Sequence, residues 1–326
     1  MKRRTVLLGA ATAASGILPL RTFAQEPWPA AGKPVKIVVP YPPGGTVDFA
    51  ARQFAGQLAK QMNGSFIVEN RAGASGMIGT SYVAASPPDG HTLLAVDTSY
   101  AIRPGTIKSI PYDTASAFAH VSTLFQSPFV LIVAPGSPYT SAEQIFAAAR
   151  KNPEKITFGS GGVGTSLHLA AELMMAEGKF KMFHVPFKGG AEAMVAVMGG
   201  QVDCFVTTMP SVMGALQGEK LRALAVSGAR RVEALPDVPL FSEVGLPGFV
   251  ARDWIGISAP RATPAPAISA LNEQVTKAVA DRAFTANLVR QGADPAAMPA
   301  KAFSDFVDQQ LLSWAKVCAG AGITPA

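Results

Sequence analysis

The sequence predicts an α/β protein of two lobes, each a mixed, mostly parallel sheet flanked by helices. Three observations carry this. Strands and helices alternate along the chain from residue 36 onward, and glycine-rich turns sit where strands give way to helices. Such a rhythm implies βαβ units with helices on both faces of a sheet. After a leader is removed, roughly 300 residues remain, enough for two lobes with their own cores.

Lys36 to Pro40 is a short β-branched run that reads as a buried strand. The turn Tyr41-Pro42-Pro43-Gly44-Gly45 stops it, since proline cannot continue ladder pairing and glycine adopts angles other residues avoid. A helix follows, with Ala51, Phe54, Ala55, Leu58 and Met62 on one buried face and Thr46 or Asp48 placed to cap it. The strand therefore delivers a glycine turn whose bare N–H groups open a helix. Unpaired amides and the helix dipole both draw carboxylate or phosphate to such a start. This is half of an anion-gripping site, and its second half lies about 110 residues later.

Phe66 to Glu69 is a second strand, followed by the turn Asn70–Gly76 and a helix from Met77 to Ala85. Thr92 to Val96, Phe118 to Phe125 and the very apolar Phe129 to Ala134 read as further strands. Ser141 starts a helix that Asn152-Pro153 stops. Ile156 to Phe158 leads into the second glycine turn, Gly159–Ser166, and then a helix through Leu167, Leu169, Leu173 and Met174. Met182 to Phe187, Val202 to Thr207, Leu221 to Val226 and Ile255 to Ser258 complete the strands. Ala191 to Met198, a segment from Thr263 to Ala280, and Lys301 to Cys318 are the remaining helices. Ligands of such sheets sit beyond the carboxyl ends of strands, where these glycine turns fall.

Met1 to Ala24 reads as a secretory signal peptide: Lys2, Arg3 and Arg4 precede an apolar segment, and Thr22-Phe23-Ala24 suits cleavage. RRTVLLG also resembles a twin-arginine signal. The whole chain carries 28 Lys+Arg against 22 Asp+Glu. The leader holds four basic residues and no acid, so the exported chain is 24 minus 22, or +2. No basic run with interleaved aromatics remains, which argues against nucleic acid. Cys204 and Cys318 read as separate buried thiols, and no His/Cys cluster supports a metal. The methionines at 174, 175, 194, 198, 209 and 213 read as core filler.

Two catalytic patterns come close and fail. Gly159 to Gly164 matches GxGxxG, but the following strand ends at Phe187 without the acid that would hold a ribose. A backbone-amide anion cradle explains those glycines better. Gly73-Ala74-Ser75-Gly76-Met77 nearly makes GxSxG, with Met77 in the last glycine position. Ser166 and His168 are too close in sequence to face each other on a helix. No triad is visible, so neither cofactor nor catalysis is expected.

Taken together, VPYPPGGTVD (39–48), ENRAGASGMIG (69–79), FGSGGVGTSLHLAAEL (158–173), HVPFKGGAEA (184–193), GGQVD (199–203) and LRALAVSGARRVEALPDVPLFSEVGLPGF (221–249) form a specific set. With Trp254-Ile255-Gly256 and Ala259-Pro260, this set resembles the Bug/TctC family of extracytoplasmic solute receptors of tripartite tricarboxylate transport systems. The resemblance implies a type II-like, two-lobed periplasmic binding protein that closes on a small carboxylate. It implies a ligand site of Tyr41, Gly44, Gly45, Thr46, Asp48, Ala74 and Ser75 in the first lobe. Ser160, Gly161, Thr165, Ser166 and Thr207 would complete it from the second. Backbone amides, small hydroxyls and waters hold the carboxylate in that family, and membrane transporter subunits are the partners of a monomeric receptor. Where family members carry Asp-Asn after the VD strand, this chain has Thr207-Thr208. If position 207 faces the cleft, that loss disfavours an amine-bearing ligand. Residues 35–130 and 255–326 are expected to form lobe one and 131–254 lobe two, joined near Phe129–Ala134 and Asp253–Ser258. The competing classes are a receptor feeding a sensor instead of a transporter, and an enzyme with a dinucleotide or covalent mechanism.

Overall fold

The computed structural model describes residues 28–320 and 322–325. The leader and its cleavage site lie outside them.

The elements run β1 (Val35–Val39), α1 (Thr46–Met62), β2 (Phe66–Asn70), α2 (Met77–Ala84), β3 (Thr92–Asp97) and α3 (Thr98–Ile102). Next come β4 (Phe118–Val133), α4 (Ala142–Lys151), β5 (Thr157–Ser160), α5 (Ser166–Gly178), β6 (Phe183–Pro186) and α6 (Gly190–Met198). Then follow β7 (Cys204–Thr208), α7 (Met209–Gln217), β8 (Arg222–Val226) and β9 (Arg252–Pro260). The chain closes with α8 (Ala265–Ala280), α9 (Arg282–Arg290), β10 (Asp294–Pro295) and α10 (Ala300–Gly320).

Two sheets share one strand. The first is ordered β2-β1-β3-β9-β4, and the second continues β4-β7-β5-β6, with β8 and β10 also on β4. β1 pairs in parallel with β2 and β3, and β5 with β6 and β7. Each antiparallel pairing involves β4 or β9. The sequence suggested separate strands at Phe118–Phe125 and Phe129–Ala134, but the chain runs through both as one strand of 16 residues. Its first part, Phe118 to Pro128, lies on β9, and from Phe129 onward it pairs with β7 and β8. Pro128 falls where the partner changes, a position that tolerates a residue with no ladder donor.

Each sheet is covered on both faces, because successive strand residues point to opposite sides. On the first sheet, Ile37, Phe54, Leu58, Phe125 and Ile257 pack on one face under α1 and α8. Val38, Leu94, Trp254, Phe303 and Trp314 pack on the other under α10. On the second, Phe129, Phe146, Phe158 and Met174 form one layer, and Val130, Ile132, Phe205, Met209 and Met213 the other. Burying each such side chain contributes about 1.5–3 kcal/mol. Met174, Met175, Met209 and Met213 are core, Met194 and Met198 pack against it half-buried, and Cys204 and Cys318 are free and buried. Three helices were not foreseen: α3, α7 and α9. In α7, Pro210 sits in the first turn, where its missing N–H costs nothing.

Candidate functional site

The N-termini of α1, α5, α6 and α7 all open on one small cavity between the two sheets. β1 leads into it. At the turn after β1, Gly44 has φ +90, which only glycine adopts readily, and Gly45 is the N-cap of α1 with ordinary angles of −85 and 173. Neither Thr46 nor Asp48 caps this helix, contrary to the sequence reading. Asp48 instead reaches back: Oδ2 accepts from the Gly44 amide at 3.0 Å and from Arg52 Nε at 2.9 Å. Its Oδ1 accepts from Asn70 Nδ2 at 2.9 Å. Burial alone would raise this carboxyl, but the bonds from Arg52, Gly44 and Asn70 outweigh it and hold the group below the usual range. Asp48 is therefore the staple of the turn. The amides of Thr46, Val47 and Asp48 are left without acceptors in their own helix.

β5 leads to the same cavity from the second sheet. Gly162 and Gly164 take φ of +117 and +76, and Thr165 is the N-cap of α5. The Thr165 hydroxyl donates to the Gly162 carbonyl at 2.7 Å, fixing the turn. The Ser166 amide, first in α5, donates across the cleft to Ser99 Oγ at 2.9 Å. Gly189 caps α6, and Thr208 occupies the N-cap of α7.

The cavity measures about 50 Å³. Eight of the expected residues line it: Tyr41, Gly45, Thr46, Asp48, Gly161, Thr165, Ser166 and Thr207. Four do not, and each has a structural task instead. Gly44 gives its amide to Asp48. Ala74 and Ser75 form a left-handed turn at φ 48 and 51, and the Ser75 carbonyl accepts from Arg103 at 3.1 Å. Ser160 is fully buried, accepts from the Gly162 amide at 3.0 Å and bonds His184 Nε2 at 2.7 Å. Ser160 and His184 superficially suggest a nucleophile and base, but neither lines the cavity and Ser160 is fully buried. Burial pushes the His184 imidazole down to about 4. His168 stacks on His184 with centroids 4.1 Å apart, and its Nδ1 accepts from the Gly164 amide at 3.4 Å.

The sequence reading missed two acids. Asp97, at the end of β3, and Asp253, at the start of β9, both line the cavity and are 4% and 2% exposed. β3 and β9 run antiparallel with Asp97 opposite Ile255, which places Asp253 two residues further on the same face. Asp97 accepts from Tyr41 OH at 2.9 Å and from Ser99 Oγ at 2.7 Å. Asp253 Oδ1 is buried without a hydrogen-bond partner. Burial raises both carboxyls, and the neighbouring charge of Asp97 adds to burial in pushing Asp253 up to about 8. Burial and Asp97 also raise the Tyr41 phenol, so it stays a neutral donor. Arg103, buried behind Tyr41, donates to its oxygen at 3.2 Å and to Tyr112 OH at 2.9 Å. No lysine, arginine or histidine is among the residues that line the cavity.

Two α/β sheets joined by a crossing strand, with helix N-termini aimed at the space between them, define a two-lobed periplasmic-binding-protein fold. Residues 50–323 match the family model described as Tripartite tricarboxylate transporter family receptor, and the chain belongs to that family. Protein BugT of Bordetella pertussis is 32% identical over 324 residues, covering 99% of this chain and 98% of that protein. The structure of periplasmic binding protein BugD is 29% identical, covers 90% of this chain and 99% of its own, and gives a TM-score of 0.85. R. palustris Rpa4515 with adipate is 31% identical, covers 92% and 100%, and gives 0.88. No helix of the described residues is long and apolar enough to cross a membrane, and none of their His, Cys, Asp and Glu side chains group as a metal site.

Proposed function

We propose that this chain is an exported receptor that captures a small carboxylate between its lobes and presents it to a tripartite tricarboxylate-type transporter. The observation that carries the reading is the convergence of four helix N-termini on a cavity with no basic side chain. Unpaired amides and aligned dipoles there favour an anion without any dedicated cation. Tyr41, Gly45, Thr46, Gly161, Thr165, Ser166 and Thr207 are the contacts assigned to the ligand, with Asp48 holding the first turn in place. Residues 35–130 with 255–326 act as one body and 131–254 as the other, hinged where β4 and the start of β9 cross. The receptor works as a monomer in the periplasm, released by cleavage near Ala24. Adipate on a relative of this fold supports the carboxylate class.

Differential scanning fluorimetry with mono-, di- and tricarboxylates tests it. A ligand at 100 times its Kd adds about 2.7 kcal/mol of stability, a readable rise in Tm. Nicotinamide nucleotides should give none. A rise with NAD and with no carboxylate would reverse the assignment.

A further inference from the structure

We infer that the cleft selects a carboxylate that also bears an ammonium group, and that Asp253 and Asp97 receive that group. This deepens the receptor reading and rests on it. The two walls of the cavity are of opposite character. Helix N-termini offer positive partial charge to a carboxylate. β3 and β9 offer two buried carboxyl groups instead; Thr98 and Ser166 lie against Asp253, yet its Oδ1 has no hydrogen-bond partner among the described residues. Buried polar oxygens are almost always paired, so an orphan one at a binding cavity marks where a ligand donor belongs.

The chain's own cations do not fill this role. Arg103 is spent on Tyr41, Tyr112, Thr80 and the Ser75 carbonyl; it makes no hydrogen bond to Asp97, and its charge offsets only part of the burial of that carboxyl. Asp97 accepts one bond at each oxygen, which leaves lone pairs free on both. An ammonium has three donors and a compact charge, suited to bridging Asp253 and Asp97. An ammonium beside Asp253 would draw off its proton, since an adjacent cation favours the carboxylate, whereas a dicarboxylate without nitrogen brings no donor to the orphaned oxygen. Thr207 does line the cavity, so its lack of charge disfavours an amine from the second lobe only. The first lobe supplies Asp97 and the crossing strand β9 supplies Asp253 in its place.

Titration calorimetry of the purified chain with matched pairs tests this: alanine and propionate, aspartate and succinate, glutamate and glutarate. At least one amino acid should bind tenfold or more tightly than its deaminated partner. Asp253→Asn should erase that preference by weakening the amino member while leaving the plain acid unchanged or tighter. Asp97→Asn, a second variant, should lower the same preference. Plain acids that bind as tightly as their amino partners, or a preference that survives Asp253→Asn, would overturn the ammonium assignment and leave the receptor reading intact. Binding by neither series would overturn the ammonium assignment, and the receptor reading falls only if the mono-, di- and tricarboxylate screen is blank as well.

Discussion

Thr46 Oγ1 and Thr208 Oγ1 lie 2.5 Å apart, and the bond joins the first turn of α1 to the N-cap of α7 across the cleft. Both residues are nearly excluded from solvent. Under the proposed hinge, the contact belongs to the closed arrangement, since water would satisfy each hydroxyl if the lobes parted. Thr46→Val keeps the shape and strands the Thr208 hydroxyl in the closed form only. That penalty is about 1–3 kcal/mol, so ligand affinity should fall roughly 5- to 150-fold with little change in Tm of the free protein. The double variant Thr46→Val/Thr208→Val should recover part of the loss, because no hydroxyl is then left unpaired. Calorimetry on all three variants decides it; equal losses in single and double variants would remove the pair from the closing equilibrium.

Gly45 gives a cleaner probe of backbone recognition. A Cβ there meets nothing within 4 Å, and its φ of −85 suits any residue. Gly45→Val should therefore fold with a circular dichroism spectrum and Tm close to the parent. It should nonetheless lose binding by about 100-fold or more, since the side chain stands where a ligand must approach the amides. Gly161 is less suitable, because a Cβ there would lie 3.3 Å from the Gly190 nitrogen and from Leu167 Cδ1. A stable Gly45→Val protein with normal affinity would place the anion elsewhere.

Asp48 should behave as a structural residue. Asp48→Ala removes the acceptor of the Gly44 amide, Arg52 and Asn70 at once and should cost about 3 kcal/mol in urea unfolding. The folded carboxyl lies below its ordinary value, so its contribution is present above about pH 4 and is lost as pH falls through the folded value. The difference between parent and variant should shrink on acidification from pH 5 to 3. A difference that is constant over that range would mean the carboxylate charge plays no part.

How far the site was legible follows from where its signals lie. The units around Gly45 and Gly161 are local: an apolar run, a proline or glycine break, then helical spacing, all within twenty-odd residues. Asp97 and Asp253 have no such signature, for each sits at the edge of an apolar strand as a lone acid. They meet only because β9 returns from the second lobe and pairs antiparallel with β3. Gly189 lies between a strand and a helix that were both read, whereas α7 was not foreseen, and nothing local says that either helix end faces Gly45. The crossing strand was split by Pro128, since a proline within a strand reads as an end until the change of partner is known.

The last prediction uses Asp253 alone, without ligand. Burial, with help from Asp97, moves this carboxyl from its ordinary 3.8 to about 8 in the folded chain. Between those values the folded protein keeps a proton that the unfolded chain releases, so folding binds protons in that window. The stability tied to Asp253 is complete below about pH 4 and is lost as pH rises through 8. Asp253→Asn has the same shape and no charge to acquire. Its Tm should match the parent near pH 4 and exceed it by roughly 3–8 °C at pH 8.5, the gap widening throughout. Asp97 shifts in the same direction, and His120 and His184, both pushed down to about 4, act in the opposite sense below neutrality. The two histidines are present in both proteins and cancel in the difference, whereas Asp97 acts on Asp253 by charge, so the difference reports the carboxyl pair. Scanning calorimetry at half-unit steps from pH 4 to 9 measures it. A gap that stays flat, or a variant that loses stability as pH rises, would show that Asp253 is ionised in the free protein and already paired.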